Sequence, residues 1–154
     1  MRKNAEEIPS VIDNLRRVFQ AINEYSKNAE KVTGLTGPQL WAIKLLASAA
    51  SIRVSELARQ MFLHPATVVG ILDRLEAKNL VTRTRSKEDR RAVEVELTDS
   101  GKEVVAKAPA VAQVMLVKGL EDLSDEQFYC VEEGMRQMVR MLGAEQIIPR
   151  PLHG

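Results

Sequence analysis

A chain of 154 residues with 45% hydrophobic and 28% charged residues has the length and balance of one soluble globular protein. No apolar stretch follows the first basic residues, no run approaches the roughly 18–20 apolar residues that span a bilayer, and one cysteine, Cys130, excludes an internal disulfide framework. We therefore expect a cytoplasmic protein without a membrane partner. The net charge is only +1, but residues 74–91 hold seven basic and three acidic side chains. This block predicts a surface that faces a polyanion, with a solvated charged loop as the alternative.

The first half of the chain is predicted to be helical. Apolar residues at helical spacing over 8–26 indicate a long amphipathic helix. Thr36 and Gln39 have the spacing of a capping box, which predicts a second helix that starts there and continues into the Ala/Ser stretch 47–51. Two short helices, 53–61 and 65–78, follow, and the second begins with a proline, which suits the first turn because proline lacks the N–H left unsatisfied there.

Residues 81–85 and 93–97 are predicted strands, joined by the polar loop 86–92. A further helix begins after Thr98 and is expected to bend or break at Pro109. A second capping box then opens the last helix, which is expected to run to about residue 142.

This order of elements is that of a winged helix-turn-helix, in which the second helix of the pair enters the major groove and the hairpin, or wing, contacts DNA beside it. We predict a mainly α-helical fold with a small β-hairpin wing. Residues 35–101 would form the winged helix-turn-helix, and 1–34 with 102–154 a helical dimerisation region.

The 3.6-residue period divides the helix over 65–78 into two faces. The face predicted to lie in the core consists of Val68, Ile71, Leu72 and Leu75. The opposite face is small and apolar near its start, where Ala66 and Val69 suit contact with thymine methyl groups. A surface helix covered by a neighbour is the alternative, for which Gly70 would be equally suitable.

Three stretches of the predicted module resemble the MarR family of transcriptional regulators. They are Val54-Ser55-Glu56-Leu57-Ala58, Leu72-Asp73-Arg74-Leu75-Glu76, and Asp89-Arg90-Arg91 followed by Leu97-Thr98-Asp99-Ser100-Gly101. The resemblance covers roughly residues 8–142 and is densest over 51–101. It implies a homodimer that binds double-stranded DNA with sequence specificity and represses transcription at a pseudo-palindromic operator.

The resemblance also implies which residues contact DNA. In the recognition helix, 65–78, and just before it they are His64, Ala66, Thr67, Val69, Gly70 and Arg74, with Ser55 at the start of the preceding helix. In the wing they are Lys87, Asp89, Arg90 and Arg91. Arg91 is expected in or near the minor groove, where negative potential is concentrated, and Asp89 is expected to orient the loop. Arg74 is expected to contact a phosphate or to brace the wing.

One departure from the family concerns the recognition helix. Many members carry a polar or basic pair where this chain has Val69-Gly70. Specificity is therefore expected to lean on Thr67, on apolar contacts and on DNA shape.

The two outer helices carry more apolar surface than the winged module can cover. The candidate dimerisation residues are Ile8, Val11, Ile12, Leu15, Met135, Met138, Val139 and Leu142. The resemblance implies that these helices interlock between two subunits and set the recognition helices about 34–36 Å apart. A helical core within one chain is the alternative.

The sequence offers no catalytic or metal site. His64, His153 and Cys130 form neither a metal-ligand cluster nor a nucleophile–base–acid set, so we expect neither an enzyme nor a cofactor. Cys130 is interpreted as a packing or interface residue. The rival functions are a winged module that binds only protein and a helical protein that binds or converts a small molecule.

An effector is suggested by the resemblance alone. Members of the family often bind small aromatic acids in a cleft between the dimerisation helices and the winged module. Phe19, Tyr25 and Trp41 are candidates to line such a cleft, and each would suit a core equally well.

Overall fold

The computed structural model of the protein describes residues 6–152, so that His153 and the outermost residues of the predicted dimerisation region lie outside it. The described part forms seven helices and a three-stranded antiparallel sheet. In chain order the elements are α1 (Glu7–Thr33), α2 (Gly37–Leu46), β1 (Ile52–Arg53), α3 (Val54–Gln60), α4 (Pro65–Ala77), β2 (Val81–Arg85), β3 (Val93–Leu97), α5 (Asp99–Lys107), α6 (Ala112–Glu121) and α7 (Asp125–Met141). The predicted fold class, mainly helical with a small wing, is confirmed.

Side-chain caps fix where several helices begin. Thr36 Oγ1 accepts the Gln39 N–H, and the Gln39 side chain accepts the Thr36 N–H, so the predicted capping box of α2 is confirmed. Ser124 and Gln127 form the same pair at α7. The predicted interruption at Pro109 is also confirmed, because the chain is not helical between α5 and α6.

Two predicted helix ends are wrong. α1 continues past residue 26 to Thr33, where Gly34 in the left-handed region (φ +72°) donates its N–H to Glu30 O. A C-cap glycine, and not the end of the apolar stripe, terminates this helix. α2 stops at Leu46 instead of continuing into 47–51.

The strand β1 was not predicted, because its residues were assigned to the loop and to the start of α3. It pairs antiparallel with β3, with Ile52 opposite Val95 and Arg53 opposite Glu94. The sheet order is β1-β3-β2, so β3 is the central strand. The pairing of β1 with β3 therefore fixes the wing to the start of the helix-turn-helix.

The hydrophobic core lies inside the winged module. The four residues predicted to form the inner face of α4 are all buried. They join fully buried side chains from α2, α3 and the sheet: Leu40, Ile43, Leu46, Leu57, Met61, Val81 and Val95. This core holds α4 and the wing together on one side of the module.

A close contact joins the start of α5 to the turn between α4 and β2. Thr98 Oγ1 donates to Asn79 O (2.6 Å) and accepts the Gly101 N–H (3.0 Å). A Cβ atom on Gly101 would lie 2.2 Å from Leu80 O. Only glycine permits this approach, which gives a structural reason for the Leu-Thr-x-x-Gly pattern after the wing. None of the helices between residues 6 and 152 is long and apolar enough to cross a membrane.

Candidate nucleic-acid interface

The helix predicted to enter DNA, α4, presents an open face to solvent. Ala66, Thr67, Gly70 and Arg74 are exposed, and Val69 is 40% exposed. A Cβ atom added to Gly70 would meet nothing within 4 Å. The space next to Gly70 is therefore open within the described chain, and packing within the subunit does not explain the glycine.

His64 caps α4. Its Nδ1 accepts the Ala66 N–H at 3.1 Å, while the residue itself remains exposed. This bond leaves Nε2 as the ring atom that can reach an outside partner. His64 therefore organises the first turn of the recognition helix, whichever contact it makes with DNA.

Arg83 of β2 ties the wing to the recognition helix. Its guanidinium donates to Asp73 Oδ1 (2.6 Å) and, through Nη2 and Nε, to both carboxylate oxygens of Glu76 (3.2 Å each). These bonds hold the pKa of Glu76 below its usual range and raise the pKa of Arg83. The sequence did not single out this residue, because its partners lie seven and ten positions away on another element.

One of the two roles predicted for Arg74, a brace to the wing, is wrong. The ion pairs of α4 with the wing are made by Arg83. The Arg74 side chain forms no hydrogen bond or ion pair with any residue in the described part of the chain. A contact with an outside partner remains the role predicted for it.

The tip of the wing is ordered by local hydrogen bonds. Buried Ser86 accepts the N–H groups of Glu88 and Asp89 through its Oγ, at 3.2 and 3.3 Å. Asp89 Oδ1 accepts the Arg91 N–H at 3.0 Å, the contact that an orienting role requires. The side chains of Lys87, Arg90 and Arg91 are left exposed at this tip.

A groove of about 430 Å³ separates the wing from α4. It brings together three predicted site residues, Ser55, Val69 and Arg91. It also contains Arg53 and the brace residue Arg83. Arg53 was missed because only its pairing with β3 turns it toward the wing, and a two-residue strand gives no periodic signal.

Three other predicted residues of α4 lie on a different flank from Val69. Thr67, Gly70 and Arg74 line a cavity of about 270 Å³. Its remaining walls come from the start of α2 and from Pro151 in the segment after α7. The predicted recognition residues are thus divided between a flank beside the wing and a flank beside the helical region.

The predicted dimerisation residues are unpacked within the chain. Ile8, Val11, Ile12, Met135, Val139 and Leu142 are exposed, while Leu15 and Met138 are half-buried. α7 buries none of its residues. The described chain therefore does not form the alternative, a closed core between its own outer helices.

The three aromatic residues predicted for an effector cleft are not brought together. Phe19 is 62% exposed on α1, whereas Trp41 is buried with its ring 6.5 Å from that of Phe62. Tyr25 is half-buried beside a small cavity of about 10 Å³ that neither Phe19 nor Trp41 lines.

Cys130 is exposed on α7, so the packing half of its interpretation is wrong for a single chain. No cluster of three potential metal ligands occurs within residues 6–152.

The recognition helix α4 is exposed and is joined by ion pairs to a wing that carries arginines. These features define a winged helix-turn-helix protein. Comparison with known proteins makes the assignment specific. The family model of the MarR family matches residues 35–93. The chain is 32% identical over 126 residues to the HTH-type transcriptional repressor MdtR of Bacillus subtilis (strain 168), an alignment that covers 81% of each protein. The chain belongs to the MarR family and is a transcriptional regulator, as the resemblance predicted.

Solved structures agree with this fold. A MepR-like protein complexed with pseudoligands is 25% identical, with a TM-score of 0.58 over 92% of this chain and 97% of that one. The S. aureus MepR–DNA complex is 20% identical, with a TM-score of 0.59 over 83% of this chain and 94% of that one. The winged helix-turn-helix with flanking helices is therefore a shared architecture.

Proposed function

We propose that the protein is a homodimeric repressor that binds a pseudo-palindromic operator in double-stranded DNA. The observation that carries the proposal is the open face of α4 beside a groove that holds Arg53 and Arg91. Neither arginine forms an ion pair with another residue between 6 and 152. Two guanidinium groups without an ion-pair partner in the described chain, next to an exposed helix, are suited to phosphates on either side of a groove in DNA.

Base recognition is assigned to the start of α4. The side chains of Ala66 and Val69 are entirely apolar, which suits contact with thymine methyl groups. Thr67 offers a hydroxyl group for a hydrogen bond. Gly70 has no side chain, so the helix backbone could come close to the base edges at this position. Arg91 at the wing tip supplies the charge expected at a narrow minor groove.

A second copy of the chain is the proposed occupant of the exposed apolar stripes. They lie on both α1 and α7, the helices on either side of the winged module, and include side chains as exposed as Met135 (56%) and Leu142 (80%). Apolar surface of this extent on two helices is characteristic of an interface. Pairing through these helices would present two recognition helices to successive turns of one face of DNA.

Repression is proposed because MdtR, a relative with a similar sequence over most of its length, is named as a repressor. A cytoplasmic location follows from a DNA partner. Release by a small aromatic acid is also proposed. Since Phe19, Tyr25 and Trp41 do not meet within one chain, such a cleft would need helices of the second subunit.

Selection of bound genomic fragments, followed by mobility-shift titration over a range of salt concentrations, tests the function. The affinity is expected to fall steeply with salt because phosphate contacts release counterions. Arg53→Ala and Arg91→Ala should each weaken binding and reduce the salt slope by about one unit. Arg136→Ala on α7, which removes an arginine paired with Glu132 and Glu133, is the matched control and should leave the slope unchanged. Absent or salt-insensitive binding would refute the proposal.

A further inference from the structure

The segment after α7 returns to the winged module. α7 ends where Gly143 adopts a left-handed conformation (φ +60°), and the Ala144 N–H bonds back to Val139 O at 2.9 Å. This is the hydrogen bond of a Schellman motif, which turns the chain away from the helix axis. A further turn, with Ile147 N–H donating to Ala144 O, precedes the last described residues.

Leu152 then meets the helices beneath the recognition helix. Its carbonyl oxygen accepts a hydrogen bond from the Nε2 of Gln113, a buried side chain at the start of α6. The Gln113 amide has no other hydrogen-bond donor contact within residues 6–152, so the bond satisfies a buried polar group that would be costly to leave unpaired. Leu152 also lines the small cavity beside Tyr25 of α1 and Gly37 of α2.

The neighbouring residue, Pro151, lies at the recognition helix itself. It walls the cavity of about 270 Å³ whose other side is formed by Thr67, Gly70 and Arg74 of α4. One short segment therefore leads from α7 to the flank of α4. This matters because α7 buries no residue of its own.

We propose that residues 149–152 act as a strap that fixes the recognition helix relative to the dimerisation helix α7. This inference rests on the proposed function, because the strap matters most when two recognition helices must match two half-sites about 34–36 Å apart. Without the strap, the distance between the two recognition helices would vary over a wider range, which would weaken binding to a complete operator. Binding to a single half-site does not depend on the distance between the recognition helices.

A chain that stops after Ile148 tests the role of the strap. It should bind the complete operator about three- to tenfold more weakly, the size expected for one hydrogen bond and a small apolar contact. It should bind a single half-site as well as the full chain does. Ile148→Ala, at a side chain that is 83% exposed in the same segment, is the control and should behave like the unaltered protein. Equal or tighter operator binding by the shortened chain overturns the proposal.

A crosslink measures docking of the strap without DNA. In a Cys130→Ser background, Tyr25→Cys with Leu152→Cys should react with a short bis-maleimide to give a crosslinked single chain. Tyr25→Cys with Ile148→Cys is the matched pair and should react far less. No crosslink, or a crosslink between two chains, overturns the strap. A protein that forms the expected crosslink but binds no DNA would refute the proposed function and not the docking.

Discussion

Gly70→Ala separates the stability of the recognition helix from its proposed contact with DNA. Glycine inside a helix costs about 1 kcal/mol relative to alanine. Because the added Cβ meets nothing within 4 Å in the chain, no steric cost offsets that gain. The variant should therefore be more stable by about 0.5–1 kcal/mol. This gain corresponds to a rise in Tm of about 1–4 °C for a chain of this length.

The same methyl group should weaken operator binding. It points outward from the middle of α4, where the helix backbone is proposed to approach the bases most closely. We expect at least a fivefold loss of affinity, which corresponds to about 1 kcal/mol. The two effects have opposite signs, so a general loss of folding cannot explain both.

The assays are urea unfolding at fixed protein concentration and mobility-shift titration with the selected operator. Gly119→Ala on α6 is the matched control, since its Cβ is equally unobstructed within the chain and it lies outside the apolar stripes of α1 and α7. It should gain similar stability and bind the operator with unchanged affinity. If Gly70→Ala gains stability and binds the operator as tightly as before, the close approach of α4 to DNA at this position is refuted.

Three further variants test the parts that hold the site. Gly101→Ala should destabilise the fold by about 2–3 kcal/mol in urea unfolding, because its Cβ would overlap Leu80 O; an unchanged midpoint would contradict the close contact. Arg83→Gln should leave the protein folded by circular dichroism yet weaken operator binding, since two carboxylates on α4 lose their cation and repel phosphates; unchanged binding would remove the brace from the mechanism. Hydrogen bonds from Arg59 and Gln60 lower the pKa of Glu56 from 4.5 to about 2. Because the pKa is lower in the folded state, ionised Glu56 stabilises the fold above pH 4.5, and this stabilisation is lost as the pH falls toward 2. Glu56→Gln should therefore make Tm depend less on pH in the acid range. An unchanged dependence would argue against the ion pair.

Local patterns predicted most of this fold because local interactions determine the features they describe. Each capping box is completed within four residues, and the inner face of α4 follows from helical period alone. The strands β2 and β3 were predicted with the bounds they have in the structure. Their alternation and the polar loop between them are also local signals.

The missed features depend on partners distant in sequence. β1 is a strand only because β3 lies beside it, and Arg53 reaches the wing groove for the same reason. In the sequence, Arg83 cannot be told apart from the other basic residues of 74–91, because its partners Asp73 and Glu76 are brought close only by the fold. The charge count over 74–91 singles out this stretch of the chain but not its internal pairing, which neutralises Arg83 and leaves Arg91 available to an outside partner.

The division of α4 into two flanks suggests how the helical region can influence recognition. The flank that carries Val69 faces the wing, and Arg83 ties it to the wing through Asp73 and Glu76. The flank that carries Thr67 and Arg74 faces α2 and Pro151, and thus the parts of the chain that lead to α1, α6 and α7. A change in the helical region therefore reaches α4 first on the Arg74 flank. Residues on that flank should alter the response of DNA binding to the strap, whereas residues on the wing flank should alter affinity alone.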